Sequence, residues 1–171
     1  MGQISKQNEL TNDQKISIEV LQDCDRNLAH ALLCTFKEES QSRSPVYDEL
    51  RPDYRDVLAR YIDEYQSRSD CTIFVAKVHG TLIGFIMGSL WKYLPIYTSE
   101  HMGYIPELYV ASEFRGRGVG RALIRAMEQW FREQGMEFSR IETICAYERN
   151  QSLYEALGYE LFLLDLRRKL E

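Results

Sequence analysis

The sequence has 171 residues, 44% of them hydrophobic and 27% charged. That balance fits one globular domain and argues against a disordered or fibrous chain. A net charge of −5 argues against a general grip on nucleic acid, and the longest apolar run, residues 82–91, is too short to span a bilayer.

Residues 1–14 are polar and are expected to form a flexible N-terminal tail without the apolar stretch of a signal peptide, leaving the domain over 15–171. Ile16, Ile18 and Val20 alternate with Ser17 and Glu19, the pattern of a strand with one buried face. Asp23 or Asp25 offers a helix N-cap, and Leu28, Leu32, Leu33 and Phe36 follow at helical spacing. The polar residues 38–46 predict a connection. Residues 47–65 predict a helix broken before Pro52, with Val57, Leu58, Tyr61, Ile62 and Tyr65 as its apolar stripe. Residues 71–78 and 81–90 predict a hairpin turned at His79-Gly80. Gly84 and Gly88 within its second strand imply a bulge or a close neighbour. Residues 91–102 predict an irregular aromatic loop.

A strand is expected over 104–110, a turn over 111–117 and a helix over 119–131, with Val119, Leu123, Ile124, Met127 and Trp130 on one side. A strand over 141–145, a short helix over 150–157 stopped by Gly158, and a last strand over 159–166 complete the chain. The order β-α-α-β-β-β-α-β-α-β implies an α/β domain around a mixed sheet.

Cys24, Cys34, Cys71 and Cys145 have neither metal-ligand spacing nor the framework of a secreted disulfide fold, and His30, His79 and His101 are scattered. No metal site is expected, and the cysteines read as small, reduced, packed residues of a cytoplasmic protein.

The sharpest feature is Arg115-Gly116-Arg117-Gly118-Val119-Gly120-Arg121, set between a strand and a helix. Its glycines permit unusual backbone angles, and the helix start presents free N–H groups at the positive end of the dipole. With Arg125 it gathers four arginines against one nearby acid, Glu113, which points to a phosphate or pyrophosphate ligand. A P-loop needs Gly-Lys-Ser/Thr where Gly120-Arg121-Ala122 stands, and a dinucleotide fingerprint needs a third Gly where Arg121 stands.

Arg115-x-x-Gly118-x-Gly120 resembles the acetyl-CoA signature of the GNAT superfamily of N-acetyltransferases. Glu107-Leu108-Tyr109-Val110 is similar to the strand that leads into it, and the run from Asn150 to Tyr159 is similar to the family's second motif. The resemblance implies a mixed, splayed sheet flanked by helices, with a bulge in the strand of Leu108, Tyr109 and Val110 opening a split before the next strand. Acetyl-CoA is then expected in the split, its pantetheine arm paired by backbone groups of Leu108 and Val110 like an added strand. Backbone N–H groups of Arg115, Gly116, Arg117, Gly118, Val119 and Gly120 would hold the pyrophosphate, with charge added by Arg115, Arg117 and Arg121. Asn150 is expected near the pantetheine and Tyr154 near the sulfur.

An acceptor amine is mostly protonated at neutral pH and must lose a proton before it attacks a thioester. Glu107 is one candidate for this base or for substrate contact. Tyr104, relaying a proton through water, is another. Pro106 stands where some relatives carry an acidic residue and cannot act as a base. A backbone N–H near Val110 is placed for the oxyanion, and Tyr154 for protonation of the leaving thiolate. Residues 23–70 hold eleven acids and seven bases, an imbalance that suits a cationic small-molecule or peptide amine. Tyr47, Tyr54, Trp91, Tyr93, Tyr97 and Tyr104 could supply aromatic walls. The expected species is a monomer or homodimer using direct transfer in a ternary complex, without metal, membrane or nucleic acid. A non-catalytic acetyl-CoA sensor or an interaction module is the alternative.

Overall fold

The computed structural model describes residues 15–43, 49–92, 101–143, 148–164 and 168, excepting the side chains of 43, 92 and 148–151. The tail 1–14, the loop residues Tyr93 and Tyr97, Tyr47, Cys145 and the side chain of Asn150 lie outside this description. Strands β1 (Ile16–Val20), β2 (Cys71–Val78), β3 (Thr81–Lys92), β4 (His101–Val110) and β5 (Phe138–Ile141) form one sheet in that order. Its first three contacts are antiparallel and the β4–β5 contact is parallel. The parallel step requires a crossover, and helix α3 (Val119–Glu133) supplies it.

The β2–β3 hairpin turns at His79 (φ 49°) and Gly80 (φ 79°), a two-residue turn whose positive angles match the twist of the strands. Alternation in β2 sends Ile73 and Val75 to one face, and Phe74, Ala76 and Val78 to the other. Helices α1 (Arg26–Arg43) and α2 (Tyr54–Ser67) cover the first face through Ala29, Leu33, Ile62 and Tyr65. Helix α3 covers the second with Val119, Leu123, Ile124, Met127 and Phe131, all buried. Helix α4 (Glu148–Glu155) joins it there through Leu153 and Tyr154. Both glycine expectations in β3 are met. A Cβ on Gly84 would lie 2.7 Å from the Tyr109 carbonyl oxygen, and one on Gly88 2.3 Å from Met127 Sδ.

Several boundaries differ from those expected of the sequence. The loop expected over 91–102 is strand at both described ends, with β3 running to Lys92 and β4 starting at His101, because Leu90, Trp91 and Lys92 pair with Gly103, Met102 and His101. Helix α1 continues to Arg43 through the polar run expected as a connection, because Ser40 is buried and Lys37 and Glu39 find partners on and beyond β4. Helix α2 begins at Tyr54, after a turn at Pro52 and Asp53, and not at 47. Strand β5 occupies Phe138–Ile141, starting three residues before the expected 141, since its register is fixed by Met102–Ile105 on β4. No strand forms over residues 159–164, where a last strand was expected. This apolar run has the composition of a strand but pairs with no strand among the described residues, and Leu161 is 87% exposed.

Candidate active site

Strand β4 organises the site through one irregularity. Met87 faces Glu107 and Ser89 faces Tyr104 across the β3–β4 pair, so Ile105 and Pro106 together oppose Gly88. Pro106 has no N–H to give a ladder, which makes this the natural place for the extra residue. The bulge shifts the alternation. Gly103 lies against the Phe131 ring and Ile105 in the α3 core, and after the bulge Leu108 and Val110 face α3 again. Tyr104 and Glu107, three positions apart, therefore share the opposite face, toward α1 and α2.

Beyond the bulge β4 runs on past β5, which ends at Ile141. Their pairing ends at Ile105 and Ile141, followed by one bond from the Glu142 N–H to the Ile105 carbonyl at 3.2 Å. The Ala111 N–H donates to the Ile83 carbonyl at 2.9 Å, which fixes the phase of the β3–β4 ladder. Backbone groups of Leu108 and Val110 then point away from β3, to the open edge. Among the described residues no strand covers that edge.

The glycine loop follows directly. Gly116 (φ 76°) and Gly118 (φ 82°) adopt the left-handed region that favours glycine. Gly118 is the N-cap of α3 and has no side-chain capping bond, and the first turn carries no acidic residue. The first helical bond runs from the Ala122 N–H to the Gly118 carbonyl. The N–H groups of Val119, Gly120 and Arg121 are thus left to a ligand or water. A pyrophosphate fits this set of donors, and an extended amide chain fits the open edge of β4.

Residues 34–159 match the model of the acetyltransferase (GNAT) family. The chain belongs to that family. The family's chemistry is acetyl transfer, and solved structures of this fold hold CoA or acetyl-CoA. Among curated relatives, a mouse protein, probable N-acetyltransferase family 8 member 5, is 29% identical over 65% of this chain, which spans only 46% of that protein's length. Aminoglycoside N(6′)-acetyltransferase type 1 of Stenotrophomonas maltophilia is 25% identical over 74% of this chain and 86% of its own length. Among solved structures, the aminoglycoside N-acetyltransferase AAC(6′)-Iy in complex with CoA superposes with a TM-score of 0.74 at 20% identity, covering 94% of this chain and 98% of that one. At this identity the superposition speaks for the fold.

In this acetyltransferase, the three loop arginines differ. Arg115 is turned to the body of the protein. Its Nε donates to the Val110 carbonyl and its Nη2 to Glu39, both at 2.7 Å, and its Cζ lies 5.3 Å from the centre of the Tyr109 ring. The Tyr109 hydroxyl donates to the other oxygen of Glu39 at 2.8 Å. Arg117 lies over the Phe114 ring and Arg121 is exposed.

Tyr154 is buried in the α3 core, its ring edge-on to Tyr159 at 6.1 Å. Burial pushes its phenol up to about 12, opposed by a hydrogen bond with Thr143, so it is neutral at physiological pH. Leu153 on the same helix would touch a Cβ on Gly120 at 3.8 Å, which places α4 beside the start of α3.

On the other face, the Glu107 carboxylate is 8% exposed and pairs with Lys37 of α1 at 2.5 Å. Burial pushes its pKa above the ordinary carboxylate range, with the Lys37 charge and hydrogen bond opposing and Glu142 adding to the rise. The Tyr104 hydroxyl donates to Glu142, just past β5, while Trp91 meets the Tyr104 ring edge-on and Arg140 lies over it. Burial is the first cause of the upward shift of Tyr104, and the Glu142 hydrogen bond the second. Tyr104 and Glu107 are thus brought to one face, and Tyr154 packs on the other.

Lys37, Glu39 and Glu142 were not legible as site residues. Lys37 and Glu39 meet partners 70 and 76 positions away, and no local pattern announces such pairs. Among the described residues no group of three or more His, Cys, Asp or Glu side chains is placed to hold a metal ion, and no helix is long and apolar enough to cross a membrane.

Proposed function

We propose that the protein acetylates a primary amine of a cationic small molecule or peptide by direct attack on acetyl-CoA in a ternary complex. The observation that carries this reading is the edge of β4 after Ile105, which no strand covers among the described residues, beside an α3 start without a side-chain cap. Backbone groups of Leu108 and Val110 pair the pantetheine arm, and N–H groups from Gly116 to Gly120 take the pyrophosphate, with Arg117 and Arg121 adding charge; the Arg115 N–H, expected to join them, donates instead to the Ser112 carbonyl at 3.3 Å. Val110 has only its N–H for the pantetheine arm, since Arg115 occupies its carbonyl. A backbone N–H near Val110 binds the oxyanion as the C–N bond forms. Glu107 takes the proton of the amine, Tyr104 borders the acceptor, and Tyr154 gives its proton to sulfur as the C–S bond breaks.

A cationic acceptor is supported by Glu107 and Glu142 with the aromatic rings of Tyr104 and Trp91 on one side of the sheet. The acidic balance of residues 23–70 adds less than its size suggests. Asp63, Glu38, Asp53 and Asp70 are matched by Arg26, Arg55, Arg51 and Arg68 at the surface. Relatives named for aminoglycosides agree with a polycationic acceptor. Dependence on acetyl-CoA suits a cytoplasmic protein.

Thermal unfolding with acetyl-CoA, CoA, ATP and NADH in parallel tests the donor. A ligand at about a hundred times its Kd stabilises by roughly 2.7 kcal/mol, and only the two CoA species are expected to do so. Release of CoA thiol with sisomicin, spermidine, an alanine-initiated peptide and glucosamine then tests the acceptor. Equal rates with cationic and neutral amines overturn the cationic assignment.

A further inference from the structure

Glu107 is held asymmetrically. Its Oε1 accepts from the Lys37 ammonium at 2.5 Å, while among the described residues Oε2 accepts no hydrogen bond. Lys37 reaches it from α1 with a side chain 27% exposed and its Nζ 5.1 Å from the centre of the Phe36 ring. The groups around the carboxylate are few. From α2, the half-buried Tyr61 and the buried Tyr65 face it, both phenols with raised pKa values and neutral at physiological pH. Glu142, past β5, acts on it as a like charge, and Tyr104 lies on its own strand. Glu39, the next acid on the inner side of α1, is engaged by Arg115 and Tyr109. Lys37 is therefore the one cation described against Glu107, set against burial and Glu142.

We propose that Lys37 is a positioning residue for acetyl transfer: it fixes one oxygen of Glu107 in the ionised form and leaves the other facing the acceptor to receive the amine's proton. The inference rests on the reading of Glu107 as the base. No atom of Lys37 enters the reaction. The proton passes from the acceptor nitrogen to Glu107 Oε2 and leaves to water after the product departs. Without the ammonium, burial and Glu142 both favour the protonated acid, which accepts no proton. A cationic acceptor sharpens the need, because Lys37 also keeps the incoming ammonium from pairing with both oxygens.

The test uses the full chain with ¹³C-labelled glutamate side chains, the Glu107 signal being assigned by its loss in Glu107→Gln. In Lys37→Met the Glu107 titration midpoint is expected to rise, and in Lys37→Arg, which keeps the charge, to return toward the parent's. Lys37→Gln serves in place of Lys37→Met should the latter fail to fold. An unmoved midpoint overturns the proposal. The rate readout uses whichever of the four amines the parent acetylates. In Lys37→Met kcat/KM is expected to fall about tenfold at a pH below the parent's measured Glu107 midpoint and less than about twofold at a pH well above the variant's midpoint. Below the midpoint, a rise of one pH unit in that midpoint leaves about tenfold less of the base ionised. A purely structural loss would be equal at both pH values and overturns the proposal. Glu107→Gln separates the two failures. If it transfers at the parent rate, the base assignment fails and takes the Lys37 role with it. If it is inactive while Lys37→Met keeps the parent's pH profile, the base assignment stands and the Lys37 role is wrong.

Discussion

Arg115 lies 2.7 Å from the carboxylate of Glu39, a residue 76 positions earlier in the chain. The pair is only about one-quarter exposed, and Arg115 also ties the Val110 carbonyl. The first residue of the glycine motif thus fastens the loop to α1 and to the open edge of β4. Arg115→Met is expected to cost about 1–3 kcal/mol, because it leaves the Glu39 carboxylate and the Val110 carbonyl short of a donor. For a chain of this length that is a fall in melting temperature of roughly 2–4 °C per kcal/mol. Arg117→Ala and Arg121→Ala, whose side chains are not tied inward, are expected to stay within about 0.5 kcal/mol of the parent while weakening acetyl-CoA binding in a salt-dependent way. Melting curves and CoA titrations at two salt concentrations check both halves.

Two glycines of the same motif separate by mechanism. Gly118 has φ +82°, and a Cβ there meets nothing within 4 Å, so any cost of Gly118→Ala is backbone strain, roughly 1–2 kcal/mol. Gly120 is helical, and its Cβ would make ordinary contacts of 3.8 Å with Leu153 and 4.0 Å with Val110. Gly120→Ala is expected to be neutral or to stabilise by up to about 1 kcal/mol, with acetyl-CoA affinity preserved. Equal destabilisation of the two variants would contradict this division.

What the sequence reveals of this site follows the range of its interactions. The loop 115–120, the α3 stripe and the His79-Gly80 turn are local, and their residue types alone specify them. The motif resemblance puts Glu107 and Tyr154 near the chemistry. The surroundings that set their protonation are not local. Lys37 reaches Glu107 across 70 positions, and Tyr104 shares its face only because Pro106 sits in a bulge opposite Gly88. A polar run such as 38–43 also hides a helix when its acids and serines have distant or buried partners. The last strand fails for the converse reason: residues 159–164 have the apolar pattern but meet no strand among the described residues.

Burial gives Glu107 a pH signature in stability as well as in rate. Its pKa is raised in the folded protein, so the native state binds this proton more tightly than the unfolded chain, whose carboxylate has the ordinary value near about 4.3. Through the window from that value up to the raised one, the contribution of Glu107 to stability falls as pH rises. Glutamine does not titrate. The stability of Glu107→Gln relative to the parent is therefore expected to climb as pH increases through this window, whatever constant offset the unpaired Lys37 introduces. Denaturant titrations at pH 4, 5, 6 and 7 give the slope, and a flat or falling difference shows that the pKa is not raised.

The thiols report packing. Cys34 and Cys71 are buried, and burial raises both, Cys71 to about 11, while Cys24 is exposed. The thiolate is the reactive form, so a native-state alkylating agent at pH 7.5 is expected to label Cys24 at least about tenfold faster than Cys34 or Cys71. Peptide mapping after timed quenching gives the three rates, and denaturant should equalise them.

Tyr154→Phe separates packing from chemistry at the assigned proton donor. The Tyr154 ring fills the α3 core and meets Tyr159 edge-on, and phenylalanine keeps both contacts. The variant loses one hydroxyl, and with it a hydrogen bond to Thr143, at a cost near about 1 kcal/mol. Acetyl-CoA affinity is expected to change less than about twofold. Transfer is expected to slow by about a hundredfold or more, because the departing thiolate loses its proton donor. With its pKa pushed up to about 12, Tyr154 stays protonated over the working range, so the parent's rate should show no decline from this group below about pH 10. A Tyr154→Phe protein that binds acetyl-CoA and turns over at the parent rate leaves Tyr154 as a packed ring and moves the donor elsewhere.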